Sequence, residues 1–514
     1  MKNPSSLLFS LILLASSFGN LAAAAEPALI KIDLDRTIGA IDPNVYGSFL
    51  EPVREPGRDV VYGPLYDPDS PRSEKNGFRT DYVQQIKDLK VSAIRWPGGN
   101  FVSGYNWEDG IGPKDQRPVR LDLSRTRKES NQMGTDEYAA FCHLVGAENF
   151  ICINAGTGTI EDAARWVEYC NAPTGTHYAD LRAKHGHPEP YKVKFWALGN
   201  EPDGPWQLGY KSKEDYAKFA IEAAKMMRGV DKEILLVAAG ASNYPLVTKR
   251  YDPKDGWTDW NDHVLDQMAG YIDYISLHRY VFQVLRAVEN PTFADQMSLG
   301  MEIDRIIEIT RGQIEKVMVK SETDRPIHIS FDEYGARANN LAGPLLLAQH
   351  LNAFIRNADI VKMANLTFLS SLVGITPEGD YKTSLYYPFY LYSNNARGTS
   401  LDVYTRCESY SNKVFKDIPY LDVTAVLNDS GTLVLNVVNR SETDAIPANI
   451  DLQSGAYSGQ GRAHLVNADS LEATNTATEE KIRITTSDFT FSGNRISHTF
   501  PAHSLTQLEI PLQK

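Results

Sequence analysis

The chain has 514 residues, of which 42% are hydrophobic and 23% are charged, and its formal net charge is -13. This composition is that of an ordinary globular protein with room for two domains, one of them large. No basic stripe offsets the acidic balance, which argues against a nucleic-acid partner and favours a neutral or weakly charged substrate.

The first residues have the pattern of a secretory signal. Lys2 precedes the apolar run "LLFSLILLASSFG" and then "NLAAAAEPA", which together provide a basic start, a short hydrophobic centre and small residues suited to cleavage near Ala25. The apolar run is short for a bilayer span, and no other stretch reaches the roughly 20 apolar residues of a transmembrane helix. We therefore expect a signal peptide over residues 1–25, no membrane span, and a mature protein that is periplasmic or secreted.

A series of short apolar runs follows, separated by amphipathic segments such as "SKEDYAKFAIEAAKMMRGV". Apolar runs that alternate with helices predict parallel strands buried on both faces. Eight such units predict a (β/α)8 TIM barrel in which the loops after the strands carry the chemistry. The runs are at residues 45–51, 91–96, 149–156, 193–201, 233–240, 271–278, 326–333 and 361–369.

The pattern changes from about Leu391 to short alternating strands with Asn, Ser and Gly turns, as in "TAVLNDSGTLVLNVVNRS". This pattern predicts an antiparallel, jelly-roll-like β-sandwich. The aromatic segment "YYPFYLYSNN" before it either closes the barrel or packs between the domains. The early strand "ALIKIDLD" can join either domain. The expected division is a signal at 1–25, a strand at 26–40 that can join the sandwich, a barrel at 41–385 and a sandwich at 386–514.

The cysteines and histidines do not indicate a metal site. The four cysteines lack CxxC spacing, which argues against a zinc site. The sequence leaves open whether they form one or two disulfides in an oxidising compartment. The two histidines of "HGHPEP" fit a polar loop, and the chain lacks a phosphate-binding GxxxxGK[ST] loop. We therefore expect no metal and no organic cofactor. The cysteines are Cys142, Cys152, Cys170 and Cys407.

Two predicted barrel strands end in carboxylates. Glu201 follows Asn200 at the end of the fourth strand, and Glu333 follows Asp332 at the end of the seventh. Polar residues at the carboxyl ends of barrel strands face one open mouth, so we expect both glutamates to converge there. Glycosidic bond cleavage needs such a pair, because one group protonates the leaving oxygen and the other attacks or activates water. A solvated or salt-bridged glutamate explains either residue alone, but explains the two together less well.

Other polar side chains end neighbouring strands and suit a sugar ring with many hydroxyls and flat apolar faces. Tryptophans that can stack on such a face stand nearby in the sequence, although a single tryptophan is more often part of a core. The polar residues are Glu51, Arg95, Asn100, Asn154, His278 and Tyr280, and the tryptophans are Trp96, Trp107 and Trp206.

Longer phrases resemble, in order and spacing, the α-L-arabinofuranosidases of glycoside hydrolase family 51. They are "IRWPGGNFVSGYNWEDGIGPKDQRPVRLDL", "NQMGTDEYAAFC", "GTGTIEDAARWVEYCN", "KFWALGNEPDGPWQLG" and "ISLHRY". The resemblance is dense from about Tyr46 to Tyr280, patchier around "FDEYG" and thin in the last 120 or so residues. It implies a retaining enzyme with a (β/α)8 barrel and a C-terminal β-sandwich.

The resemblance also implies roles for single residues. Glu201 would be the general acid/base and Glu333 the nucleophile. Asn200 would bond the 2-hydroxyl of the sugar, and Tyr280 matches a tyrosine beside the nucleophile. Three further residues match positions that hold the arabinofuranose or organise the carboxylates, namely Glu51, Arg95 and Asn100.

The chain departs from the family pattern at three places. Pro202 replaces a common methionine after the acid/base, which should leave the carboxylate in place. Tyr334 and Gly335 follow the nucleophile where a tryptophan and an asparagine are usual. On the last strand Phe368 aligns with a sugar-contacting glutamine, so an aromatic ring replaces a hydrogen-bonding amide.

The sequence therefore favours release of terminal α-L-arabinofuranosyl residues from arabinose-containing plant oligosaccharides or polysaccharides. One alternative is an endo-β-1,4-glucanase or xylan-degrading enzyme of the same family, with an open cleft. A second is a non-catalytic carbohydrate-binding protein, against which the two glutamates argue. Oligomers are common in the resembled family, so a homo-oligomer stays open.

The pairing of the glutamates carries one geometric and one electrostatic expectation. Their carboxyl groups should lie about 5–5.5 Å apart, the separation for direct attack with retention. The charge of Glu333, together with partial burial, is expected to raise the pKa of Glu201 so that it keeps its proton until the leaving oxygen needs it.

Overall fold

The computed structural model describes residues 26–52, 65–242, 244, 256–321, 323–337, 339–376 and 379–512. The predicted signal at residues 1–25 lies outside them. Among the described helices, none combines the length and the apolar character that crossing a bilayer requires.

Eight parallel strands form a closed barrel, as predicted. The eighth strand pairs with the first through Asn365 opposite Gly47, which closes the ring. Each strand lies on one of the predicted apolar runs, because a strand covered by helices outside and by side chains inside must be apolar on both faces. In chain order the strands are Gly47–Phe49, Ala93–Trp96, Glu148–Cys152, Phe195–Ala197, Leu235–Ala238, Tyr274–Arg279, His328–Tyr334 and Val361–Leu366.

Amphipathic helices cover the barrel, and their apolar faces pack on the strands. The described α-helices are Thr80–Asp88, Thr135–Val145, Ile160–Asn171, His177–Lys184, Lys213–Val230, Trp257–Met268, Phe293–Ser298, Gly300–Lys320, Ala342–Arg356 and Tyr386–Asn395. Short 3₁₀ helices lie at Pro43–Tyr46, Asn100–Gly104, Trp107–Gly110, Lys114–Gln116, Val281–Ala287 and Leu369–Ser371.

The C-terminal part is a mostly antiparallel sheet of nine strands with its own apolar core. Its two edge strands are consecutive in the chain and meet at Asn494, so the sheet curls until its edges approach. In spatial order the strands are Arg483–Gly493, Tyr457–Asn467, Ser504–Pro511, Thr432–Asn439, Leu421–Leu427, Thr399–Arg406, Ala28–Ala40, Ile446–Leu452 and Arg495–Phe500. Two-stranded ribbons pair Arg120–Asp122 with Arg127–Glu129, Val373–Thr376 with Gly379–Lys382, and Ser409–Tyr410 with Ile418–Pro419.

The early strand Ala28–Ala40 lies inside the C-terminal sheet. It runs antiparallel to Thr399–Arg406 and parallel to Ile446–Leu452. Its alternate residues Ile30 and Ile32 are fully buried, which explains the alternating pattern of the sequence. The expected domain bounds themselves stay a prediction.

The aromatic helix Tyr386–Asn395 packs between the barrel and the sheet. Ser393 Oγ donates to the carbonyl of Leu89 on the barrel side at 2.6 Å. Asn395 Nδ2 donates to Gln507 Oε1 in the sheet at 2.7 Å. All four cysteines are free, so neither of the disulfides left open by the sequence is present.

Candidate active site

Glu201 and Glu333 both lie at the carboxyl end of the barrel. Glu333 is the last residue but one of the seventh strand, His328–Tyr334. Glu201 follows the fourth strand, Phe195–Ala197, after a turn through Gly199 at φ +103. A Cβ on Gly199 would come within 2.5 Å of the Ala155 side chain, so glycine is required for this close approach.

Fixed donors hold both oxygens of Glu333. Arg95 Nη1 donates to Oε1 at 2.9 Å, and the Tyr280 hydroxyl donates to Oε2 at 2.9 Å. Tyr280 is itself held by Thr367, whose Oγ1 lies 2.8 Å from its hydroxyl. The carboxylate of Glu333 is therefore oriented by groups from three other strand ends.

Arg95 connects the strands around the site. It is fully buried, and its Nη2 donates to Asn200 Oδ1 at 2.8 Å. Its Nε lies 3.6 Å from Asp332 Oδ2. The Nδ2 group of Asn200 is buried and has no hydrogen-bond partner among the described residues. This amide donor is thus available to a ligand beside Glu333.

Glu201 accepts hydrogen bonds from its own loop. Its Oε2 accepts from Trp206 Nε1 at 2.9 Å and from Gln207 Nε2 at 3.2 Å. Gln207 Nε2 also donates to Asn100 Oδ1 at 2.6 Å, which connects this loop to the loop after the second strand.

His278 lies between the two glutamates. Its Nδ1 is 3.1 Å from Glu201 Oε1 and 3.5 Å from Glu333 Oε2, and its Nε2 is 3.2 Å from Asp332 Oδ1. One oxygen of each glutamate and one ring nitrogen all lie within 4.8 Å of one another. These three side chains are ligand types that a metal ion uses, but protein donors already engage both glutamates.

Charge in this cluster shifts the pKa values of all three groups. Burial alone would lower the pKa of His278, but the charge of Glu333 and hydrogen bonds to Asp332 and Glu201 raise it to about 10. Burial alone would raise the pKa of Glu201, but the hydrogen bond from His278 and its charge hold it below its ordinary value. Burial raises the pKa of Glu333; the charge of His278 opposes this, and the charge of Glu201 adds to it.

The expectation that Glu201 has a raised pKa is therefore wrong. That expectation considered two carboxylates and left out the imidazolium between them. With His278 protonated, the exchangeable proton of the pair is on the ring and not on the Glu201 carboxyl.

Replacing His278 by Gln is expected to change how stability depends on pH. An unfolded histidine has a pKa near 6.5, whereas that of His278 is about 10 in the folded protein. A raised folded pKa contributes stability that is fully present below about pH 6.5 and is lost as pH rises towards 10. The thermal unfolding midpoint of the wild type should therefore fall relative to that of His278→Gln over this interval.

The control is the same change at His143, which is exposed on the helix Thr135–Val145. His143→Gln should follow the wild type at every pH. A constant difference between the wild type and His278→Gln from about pH 6 to about pH 10 would contradict the assignment of a buried imidazolium.

Glu51 borders the same space from the first strand end. Its Oε1 accepts from the Phe101 backbone at 3.1 Å, and its Oε2 pairs with Arg125 Nη2 at 2.6 Å. A Cβ placed on Gly99 would lie 3.5 Å from Glu51 Oε2 and 3.3 Å from Glu333 Oε1, so glycine keeps this space open.

The structure brings eight of the sequence-derived polar residues to one end of the barrel, namely Glu51, Arg95, Asn100, Asn200, Glu201, His278, Tyr280 and Glu333. Asn154 instead accepts from backbone amides of its own loop, and Trp96 and Trp107 are buried in the core. Sequence reasoning missed Gln207 and Arg125. Both lie in loops and do not follow an apolar run, which was the signal used to find the other site residues. Only the phrase "GPWQLG" could have pointed to Gln207.

Two family models match the chain. The α-L-arabinofuranosidase 1 domain matches residues 85–281, and the α-L-arabinofuranosidase C-terminal domain matches residues 329–504. Together they cover most of the barrel and the strands of the C-terminal sheet from Thr399–Arg406 to Arg495–Phe500.

Two relatives with named activities match this chain at similar identity. An intracellular exo-α-(1→5)-L-arabinofuranosidase of Halalkalibacterium halodurans is 36% identical over 454 residues, which cover 83% of this chain and 87% of that protein. α-L-Arabinofuranosidase C of Emericella nidulans is 35% identical over 533 residues, which cover 96% and 99%. Among solved structures, the Thermotoga maritima α-L-arabinofuranosidase in complex with arabinose has a TM-score of 0.84 at 31% identity, covering 94% of this chain and all of that one.

Proposed function

The chain belongs to the α-L-arabinofuranosidases of glycoside hydrolase family 51, and from this premise we propose that it releases terminal α-L-arabinofuranosyl residues with retention of configuration. The substrates are arabinose-containing plant oligosaccharides or polysaccharides. The observation that carries the proposal is the pair Glu201 and Glu333 at the mouth of the barrel, with one oxygen of each within 4.8 Å of the other.

This separation supports direct attack on the sugar. Retaining glycosidases hold their carboxyl groups about 5–5.5 Å apart, whereas inverting enzymes need about 6.5–9.5 Å to fit a water molecule. In the first step Glu333 attacks the anomeric carbon and forms a glycosyl ester, while the bond to the leaving oxygen breaks. Arg95 and Tyr280 hold the attacking carboxylate in one orientation.

The leaving oxygen takes its proton from Glu201. Before the first step this proton is on the ring of His278, whose Nδ1 lies 3.1 Å from Glu201 Oε1 and passes the proton to that carboxylate as Glu201 protonates the leaving oxygen. In the second step Glu201 removes a proton from water, and the resulting hydroxide attacks the anomeric carbon and releases Glu333. Two displacements at the same carbon give net retention.

Polar groups around the pair bind the sugar. Asn200 offers the Nδ2 group that lacks a partner, which suits the 2-hydroxyl beside the reacting carbon. Asn100 and Glu51 border the same space, and both are held by side chains or backbone of neighbouring loops.

The proposed function is tested by the substrate and by the configuration of the first product. The protein should hydrolyse 4-nitrophenyl α-L-arabinofuranoside and debranch arabinan or arabinoxylan, and should act far less on carboxymethylcellulose. Proton NMR of the first product should show the α-anomer before mutarotation. Cleavage of carboxymethylcellulose without release of arabinose would favour the endo-acting alternative, and binding without any turnover would favour a non-catalytic protein.

Export to the periplasm or the medium is a separate proposal that rests on the sequence of residues 1–25. The relative from Halalkalibacterium halodurans is named as intracellular, so family membership does not decide location. Cell fractionation of the full-length protein, compared with a form that starts at Glu26, tests it. Equal distribution of the two forms would contradict export.

A further inference from the structure

Phe368 has an unusual backbone for an aromatic residue. It follows the eighth strand, Val361–Leu366, and has φ +66 and ψ +122. A bulky side chain rarely adopts a positive φ, and such strain persists only where the surroundings hold it. Strained residues of this kind cluster at functional sites, which makes Phe368 a candidate for a role at the barrel mouth.

Hydrogen bonds pin the chain on both sides of Phe368. The Thr367 amide donates to the carbonyl of Tyr334 at 2.8 Å. The Ser371 amide donates to the carbonyl of Phe368 at 2.9 Å, and Ser371 Oγ donates to the carbonyl of Thr367 at 2.8 Å. The backbone of Phe368 is therefore fixed by the fold.

The ring stacks on a second phenylalanine. The centroids of Phe368 and Phe49 lie 5.3 Å apart, with 28° between the planes. The guanidinium of Arg95 lies 5.3 Å from the centre of the Phe49 ring. Phe49 is 1% exposed and Phe368 is only partly buried, so Phe368 is the ring that a ligand can reach.

Phe49 borders the space beside the nucleophile, and Phe368 stacks on Phe49. The Cβ position built on Gly99 lies 3.6 Å from Phe49 Cζ and 3.3 Å from Glu333 Oε1. Glu51, Tyr280 and Arg95 are polar neighbours of the same space. Beside Glu51 and Thr367, the ends of the first and eighth strands therefore also carry two stacked aromatic rings, those of Phe49 and Phe368.

We propose that Phe368 is a specificity-determining residue, which receives a C–H face of the terminal sugar on an aromatic wall. The inference rests on the proposed function, because it concerns the sugar that Glu333 attacks. A site that hydrogen-bonds a hydroxyl strongly rejects the analogue that lacks it, whereas an apolar wall discriminates weakly. The enzyme consequently tolerates loss of the hydroxyl on the side that faces Phe368.

The test compares 4-nitrophenyl α-L-arabinofuranoside with its 2-deoxy, 3-deoxy and 5-deoxy analogues. For the wild type, we expect kcat/KM to fall by less than about tenfold for one of the three analogues and by much more for the others. In Phe368→Gln the introduced amide can bind that hydroxyl, so the same analogue should lose at least about tenfold more than in the wild type. Phe368→Leu should keep the wild-type order of the analogues.

The matched control is Phe489→Gln, the same change at a half-buried ring of the C-terminal sheet. It should leave every ratio unchanged, and thermal unfolding should show that each variant is folded. Identical ratios in wild type and Phe368→Gln, or a large loss for all three analogues in the wild type, would overturn the inference. If the protein hydrolyses another glycoside instead, the proposed function fails. The role of Phe368 is then tested by comparing kcat/KM for that glycoside with kcat/KM for its deoxy analogues.

Discussion

Replacement of Glu333 by Ala is expected to abolish turnover of every glycoside, with kcat lower by roughly 10⁴-fold or more, because no other group can form the covalent intermediate. The loss should not depend on the leaving group, since the attack itself is missing. Turnover of aryl arabinofuranosides with leaving groups of different acidity measures this directly.

The control for this prediction is Glu308→Ala. Glu308 is exposed on the helix Gly300–Lys320 and pairs only with its neighbour Arg305 among the described ion pairs. Its variant should keep wild-type kcat. Glu333→Gln, which keeps the size of the side chain and its contact with Arg95, should be as inactive as the Ala variant. Activity within about tenfold of wild type in either Glu333 variant would remove Glu333 as the nucleophile.

Replacement of Glu201 by Ala is expected to have an effect that depends on the leaving group. Loss of the general acid should lower kcat/KM by roughly 10²–10⁴-fold for arabino-oligosaccharides, whose leaving oxygen needs a proton. An activated aryl glycoside leaves without one, so its first step should proceed nearly as in the wild type. The second step lacks its base, and the glycosyl-enzyme should accumulate after an initial burst of aryl product.

Glu214→Ala is the matched control for Glu201, because Glu214 is exposed at the start of the helix Lys213–Val230. It should show neither the burst nor the dependence on leaving group. An equal loss for activated and unactivated substrates in Glu201→Ala would contradict the acid/base role.

The barrel was predictable because its physical cause is local. A strand that is covered on both faces must be apolar throughout, and the run that ends at Glu333 shows this in the sequence. The carboxylates after such runs were predictable for the same reason, since parallel strands place their carboxyl ends at one mouth.

Features that depend on distant contacts were not predictable from the sequence. The strand Ala28–Ala40 could join either domain, because its partner Thr399–Arg406 is more than 350 or so residues away along the chain. The lowered pKa of Glu201 depends on His278, which only the closed barrel brings within 3.1 Å. Gln207 does not follow an apolar run in the sequence, and only its hydrogen bond to Glu201 identifies it as a site residue.

The roles proposed for the two glutamates do not rest on the directions of their pKa shifts. The pKa of Glu333 is raised and that of Glu201 is lowered, whereas the first step needs an ionised Glu333 and a proton on the leaving-group side. The assignment rests instead on the donors that fix both oxygens of Glu333, and on the family pattern around Glu201.

Azide rescue of the two Ala variants, with an activated aryl arabinofuranoside and NMR of the azide product, tests this assignment most directly. Azide should accelerate Glu201→Ala and give arabinofuranosyl azide of retained configuration, because it attacks the ester on Glu333 from the face that Glu201 has left open. Glu333→Ala should give either no rescue or an azide of inverted configuration. A retained azide from Glu333→Ala, with none from Glu201→Ala, would show that the roles are reversed.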